Sequence, residues 1–142
     1  MRKSAALLAA LLALAPFRAD SCDPGARVFF IKPFNGATVT SPFLVIFGAE
    51  LVDVLPVPAG KVPENVGHHD LLINLDKVPM GDVIPADSRH LHFDHGETRT
   101  RLDLPPGQYS LTLQFADGTE HSHGPEMSAT IHVTVEGRTA GS

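Results

Sequence analysis

Apolar and polar residues alternate along most of this chain in short runs that turn residues cut off, a pattern that predicts strands. The first is 27–32 (RVFFIK), stopped by Pro33 and the Asn35-Gly36 turn. The second, 43–48 (FLVIFG), is apolar on both faces and reads as a central strand. A Pro/Gly-rich connection from Leu55 to Gly67 predicts nothing regular. The third, 69–75 (HDLLINL), puts His69, Leu71, Ile73 and Leu75 on one face, and Asp70, Leu72 and Asn74 on the other. After an irregular stretch, 76–88, strands at 89–93 and 98–104 flank a turn at Asp94-His95-Gly96-Glu97. In 109–115, Tyr109, Leu111, Leu113 and Phe115 alternate inward against Ser110, Thr112 and Gln114. The last strand, 128–136, carries Ala129, Ile131, Val133 and Val135 on one face, with His132 pointing the other way.

These seven strands predict an all-β fold, an immunoglobulin-like antiparallel β-sandwich over 27–136. Tyr109, just past the Pro105-Pro106-Gly107 corner, is placed to pin that corner through its hydroxyl, or else is simply packed. No segment has the 3.6-residue period that a helix bundle or an α/β fold needs, and no internal repeat is visible. With 43% apolar and 19% charged residues, the 142-residue chain can build one packed core.

The first 21 residues read as an export signal. Arg2-Lys3 precedes the apolar run Ala5–Ala15, and Ala19-Asp20-Ser21 offers small residues for cleavage before Cys22. The run is too short for a bilayer span of about 20 apolar residues, and no other stretch is longer, so the chain is not expected to be an integral membrane protein. A periplasmic or secreted location follows, with lipid anchoring through Cys22 as the less favoured variant. Residues 22–26 read as a short linker and 137–142 as a flexible tail. Cleavage takes away Arg2, Lys3, Arg18 and Asp20, leaving 8 Lys+Arg against 15 Asp+Glu, a net charge of −7. That excess argues against nucleic acid as a partner. One Cys allows neither an intrachain disulfide nor a Cys-cluster zinc site.

All eight histidines fall between His68 and His132. In an up-and-down ordering, the connections before the third strand, between the fourth and fifth, and between the sixth and seventh share one end of the sandwich. That brings His68 and His69 together with His92 and His95, and with His121 and His123. His90 lies about 7 Å from His92 along the same strand face. Neutral imidazoles on separate strands define a rigid site for copper(II) or zinc. The candidate ligands are His68, His69, His90, His92 and His123, with His95 and His121 less favoured. His69, His92 and His123 form the central set. Asp70 and Asp94 could complete the site or orient a ligand. Met127 could be a weak copper ligand but fits a core position better.

Nothing points to catalysis: there is no Gly-x-Ser-x-Gly, no HExxH and no phosphate-binding Gly loop. The chain is therefore expected to be a non-enzymatic, metal-binding module. The alternative is an interaction module that grips an envelope protein or glycan, its histidines being structural hydrogen-bonders.

The segments VFFIKPFNGATVTSPFLVIFGAE, GHHDLLIN, IPADSRHLHFDHGETRTRLDLPPGQYSLTLQFADG and HGPEMSATIHVTV together resemble a bacterial exported domain family of unknown function, DUF4399. The resemblance runs from about Arg27 to Glu136 and implies a small β-sandwich outside the cytoplasm, with no established activity. Its His-rich motifs fall on His68, His69, His90, His92 and His123. Asp70 stands where the family often has a third consecutive His, and His95 where Gly is more usual.

Overall fold

The computed structural model describes residues 25–56, 60 and 62–137. The export signal, Cys22 and residues 138–142 lie outside the described residues. The described residues are all-β, apart from a 3-10 turn at Pro125–Met127. Its strands are β1 (Arg27–Lys32), β2 (Thr38–Thr40), β3 (Phe43–Glu50), β4 (Asp53–Val54), β5 (Val66–Ile73), β6 (His90–Phe93), β7 (Arg99–Leu102), β8 (Gly107–Ala116) and β9 (Ser128–Glu136).

They form a three-stranded sheet, β1-β3-β7, facing a six-stranded one, β2-β9-β8-β5-β4, in which β6 also pairs with β5. The alternation explains the packing between them. Val45 and Phe47 of β3, Leu71 of β5, Leu111, Leu113 and Phe115 of β8 and Val133 of β9 all point inward and are buried. Met127 joins this core. The apolar outer face of β3 is not covered: Leu44 remains exposed. The Tyr109 hydroxyl donates to the Pro105 carbonyl at 2.8 Å, which ties the corner four residues upstream to the start of β8.

Two features depart from the sequence expectation. The first concerns the short strands β2 and β4, which pair in parallel with β9 and β5. β4 lies between the second predicted strand and the Leu55–Gly67 connection, where the alternation marks no strand. β5 itself begins at Val66, three residues earlier than the alternation implied. Gly67 makes this extension feasible. A Cβ there would collide with the Ala116 carbonyl oxygen and come within 2.7 Å of the Phe115 ring. Gly67→Ala is expected to lower stability by about 3 kcal/mol, since backbone cannot yield as a side-chain tip can. Urea denaturation measures it.

The second is the irregular stretch 76–88, which packs over the outer face of the larger sheet. Gln114, outward on β8, accepts from the Val78 N–H at 2.8 Å and donates to Ser122 Oγ at 2.8 Å and the Gly124 carbonyl at 2.9 Å. Outward residues Thr112, Gln114, His68 and Asp70 are consequently as buried as the core. The larger sheet thus has two covered faces, and the second is polar.

Candidate metal centre

The polar covered face gathers four side chains. β5 supplies His68 and Asp70, two residues apart and therefore on one face. β6 supplies His92, which stands directly beside Asp70 in the antiparallel register. The fourth, Glu120, comes from the β8–β9 connection. Asp117 builds the turn that delivers it: Asp117 Oδ1 accepts from the Thr119 N–H and hydroxyl, both at 2.7 Å, and from the His121 N–H at 3.1 Å. Partial burial pushes the Asp117 carboxyl up, but these bonds outweigh it and hold it below its ordinary value. Glu120 itself sits at φ 63°, a left-handed conformation uncommon for a residue with a Cβ. Backbone bonds from Ile84 N–H to the Glu120 carbonyl, and from Ser122 N–H to the Asp82 carbonyl, fasten this turn to the covering segment.

One ligand atom from each residue lies within 4.8 Å of all the others. His68 Nε2 is 3.3 Å from Asp70 Oδ1 and 3.2 Å from a Glu120 carboxylate oxygen. His92 Nδ1 is 3.2 Å from Asp70 Oδ1 and 2.5 Å from the same Glu120 oxygen. His92 Nε2 donates to the Pro85 carbonyl at 2.7 Å, because a carbonyl can only accept. In the neutral ring, Nδ1 is therefore a bare lone pair facing two carboxylates. His68 and Asp70 are fully buried, yet neither His68 nitrogen nor either Asp70 oxygen makes a hydrogen bond. Their 3.2–3.3 Å contacts are close but out of hydrogen-bond alignment.

Such an arrangement demands positive charge. A buried carboxylate without hydrogen bonds costs several kcal/mol unless a cation stands beside it. Burial pushes Asp70 above the ordinary carboxylate range, against the pull of His68 and His92. Burial lowers both imidazoles, but the Asp70 and Glu120 carboxylates outweigh it for His68, and the Pro85 carbonyl together with those carboxylates does so for His92, so both lie above the ordinary value. The cluster can be satisfied by protons on its imidazoles or by a metal ion at its centre.

Of the histidines singled out from sequence, the structure brings together His68 and His92, and places the others elsewhere. His69 adjoins His68 on β5 and therefore faces the opposite way, into the core. Its ring lies edge-on to Phe47 at 4.8 Å and to Phe115 at 6.4 Å, with both nitrogens unpartnered. Burial, with the nearby His68 charge, pushes it down to about 4. His123 also packs edge-on to Phe115, at 5.1 Å between ring centroids. His90 Nδ1 pairs with Asp87 at 2.9 Å, and His121 Nδ1 with the Thr119 hydroxyl at 2.8 Å. His95 is on the surface with Asp94 and Glu97, a second but fully exposed cluster. His132 is exposed, as its outward position implied. Glu120 was not anticipated, although it directly precedes His121 in a loop already marked by two histidines.

Comparison with known proteins adds a family but no activity. The family model described as Domain of unknown function (DUF4399) matches residues 45–136. No curated protein matches the chain. Among solved structures, the endo-beta-1,4-mannanase from Thermotoga petrophila is similar at 14% identity and a TM-score of 0.47, over 80% of this chain. The chain spans 20% of that structure's length.

Proposed function

The chain belongs to the DUF4399 family, and on that footing we propose that it is an exported, non-enzymatic, immunoglobulin-like module that binds a transition metal ion through His68, Asp70, His92 and Glu120. The observation that carries this reading is the buried Asp70 carboxylate, without a hydrogen bond yet beside two imidazole nitrogens. Lone pairs within 3.2–3.3 Å that are not aligned on one another suit a shared point between them. Zinc–ligand bonds of about 2.0–2.1 Å in a tetrahedron put neighbouring donors about 3.3 Å apart. The shorter His92–Glu120 contact would widen on binding. Two nitrogens with two oxygens also suit copper(II) in a tetragonal arrangement, so both ions belong in the test.

The immunoglobulin-like assignment draws support from the Tyr109 corner bond and from the pairing of β8 with β5 and β9 opposite β1-β3-β7. Export accords with the Arg2-Lys3, Ala5–Ala15 and Ser21-Cys22 pattern.

Isothermal titration with zinc and copper(II) tests the site. Binding tighter than about 10 µM is expected for at least one ion. His92→Ala should weaken it at least about 100-fold, more than the loss of an outer-shell partner does. His90→Ala, whose ring pairs with Asp87 outside the cluster, should leave it unchanged. No binding, or equal binding by the His92→Ala variant, would eliminate the proposal.

A further inference from the structure

The three-stranded sheet ends at β7 with an open edge. The Phe47 N–H donates to the Thr98 carbonyl at 3.0 Å, and Val45 stands opposite Thr100, Phe43 opposite Leu102. Alternate β7 residues therefore bond to β3, while the amides and carbonyls of Arg99 and Arg101 point outward. Among the described residues, no backbone group pairs with them. A constant-type sandwich has a fourth strand in its corresponding sheet. Here the strand that precedes β7, β6, pairs with β5 in the opposite sheet instead.

Positive charge concentrates on the outer face of the same sheet, with Arg99 and Arg101 at the β7 edge. Arg99 and Arg101 stand on the outer face, directly across from Ile46 and Leu44, and Lys32 flanks Ile46 on the other side. Arg27 lies on this face too, bonded to Glu50 at 2.8 Å. Of the described Lys and Arg residues, only Lys77 and Arg89 are elsewhere, in a chain of net charge −5. Neighbouring carboxylates are engaged locally: Asp103 accepts from the Ser41 hydroxyl and Glu97 from the His95 N–H. Arg101 also donates to the Pro42 carbonyl at 3.3 Å. Arg99 and Lys32 take part in no ion pair among the described residues.

We propose that the β7 edge docks an extended acidic segment of a partner protein as a fourth strand. An antiparallel strand here exchanges backbone bonds with Arg99 and Arg101. The two residues opposite them then project on the outer face, where Asp or Glu meets a guanidinium. The residue between them faces the half-buried Thr100 side and suits a small apolar side chain. The ligand thus reads acidic, apolar, acidic. A second copy fits poorly, because β7 against β7 sets arginine opposite arginine.

The experiment follows the amide resonances of Arg99, Thr100 and Arg101 in the protein as a short peptide of alternating Glu and Val is added. Saturable shifts at this edge are expected, and a Lys/Val peptide should give none. Arg99→Glu combined with Arg101→Glu should weaken the Glu/Val peptide at least about tenfold and favour the Lys/Val one. Arg101→Pro removes an edge donor that β3 does not use and should abolish binding while the melting curve stays cooperative. Absence of shifts at about 1 mM peptide, or equal shifts in the charge-reversed variant, overturns the proposal. So does self-association through β7, or arginine-dependent binding to anionic vesicles without any response to peptide.

Discussion

Acidification from pH 7.5 to 5.5 is expected to strip metal from the buried centre, with affinity falling by about 100-fold per pH unit in the lower part of the range. Metal needs His68 and His92 as neutral imidazoles, so each proton gained there displaces the ion. Two imidazoles give a limiting slope of two decades per unit. The sign and the window follow from their surroundings. Despite burial, the carboxylates of Asp70 and Glu120 hold His68 above the ordinary histidine value, and the Pro85 carbonyl together with those carboxylates does the same for His92. Competition therefore begins above about pH 6.5, earlier than for free histidine. Asp70, which burial also raises, adds protons lower down and steepens the fall. A site built only of carboxylates would instead hold its ion to roughly pH 4. Competition against a chelator, corrected for the chelator's own protonation, measures the slope. Affinity that stays flat from pH 7 to 5 excludes the His68–His92 centre.

The second large effect concerns His69, and it runs through folding rather than binding. Its folded value of about 4 lies below the roughly 6.5 of an unfolded histidine. Between those values the unfolded chain takes up a proton that the folded chain refuses. Stability is therefore whole above about pH 6.5, falls as the pH drops, and levels off near pH 4. The gap corresponds to about 3 kcal/mol, as an order of magnitude for so buried a ring. His68 and His92 work in the opposite sense: their raised values contribute stability at low pH that is lost as pH rises through them. A paired comparison cancels that contribution. His69→Leu, similar in volume, should remove the acid loss and also gain about 1–3 kcal/mol at neutral pH, because two unpartnered ring nitrogens leave the core. Urea midpoints from pH 4 to 7.5, with chelator present, decide it. Parallel curves for the two proteins would show that His69 is not the acid-labile group.

Much of this architecture was legible in the sequence because strands advertise themselves by alternation. Tyr109, Leu111, Leu113 and Phe115 face the core as their spacing requires. The same rule separates His68 from His69, since neighbours on a strand point to opposite faces. What alternation does not reveal is which face carries chemistry when both are covered. The stretch 76–88 has no periodicity, so its place over His68 and Asp70 was invisible until Gln114 and the Ile84–Glu120 bond located it. Glu120 was hidden for another reason. Carboxylates are common in loops, and only the turn capped by Asp117, with Glu120 held left-handed, aims this one inward. Convergence of three segments was readable, with His68 and His92 among the candidates; that Glu120 rather than His123 would complete the cluster was not.

Between Asp76 and Ser88 the only fully buried side chain is Ile84. The cover over the centre is thus nailed down at one apolar point and otherwise held by exchangeable polar bonds. Opening such a segment requires far less than unfolding the sandwich, whose own strands share a continuous core. On the proposed reading, the lifetime of a bound ion is consequently expected to be a local property, set by how firmly Ile84 grips. The protein as a whole is then expected to remain folded while an ion enters or leaves.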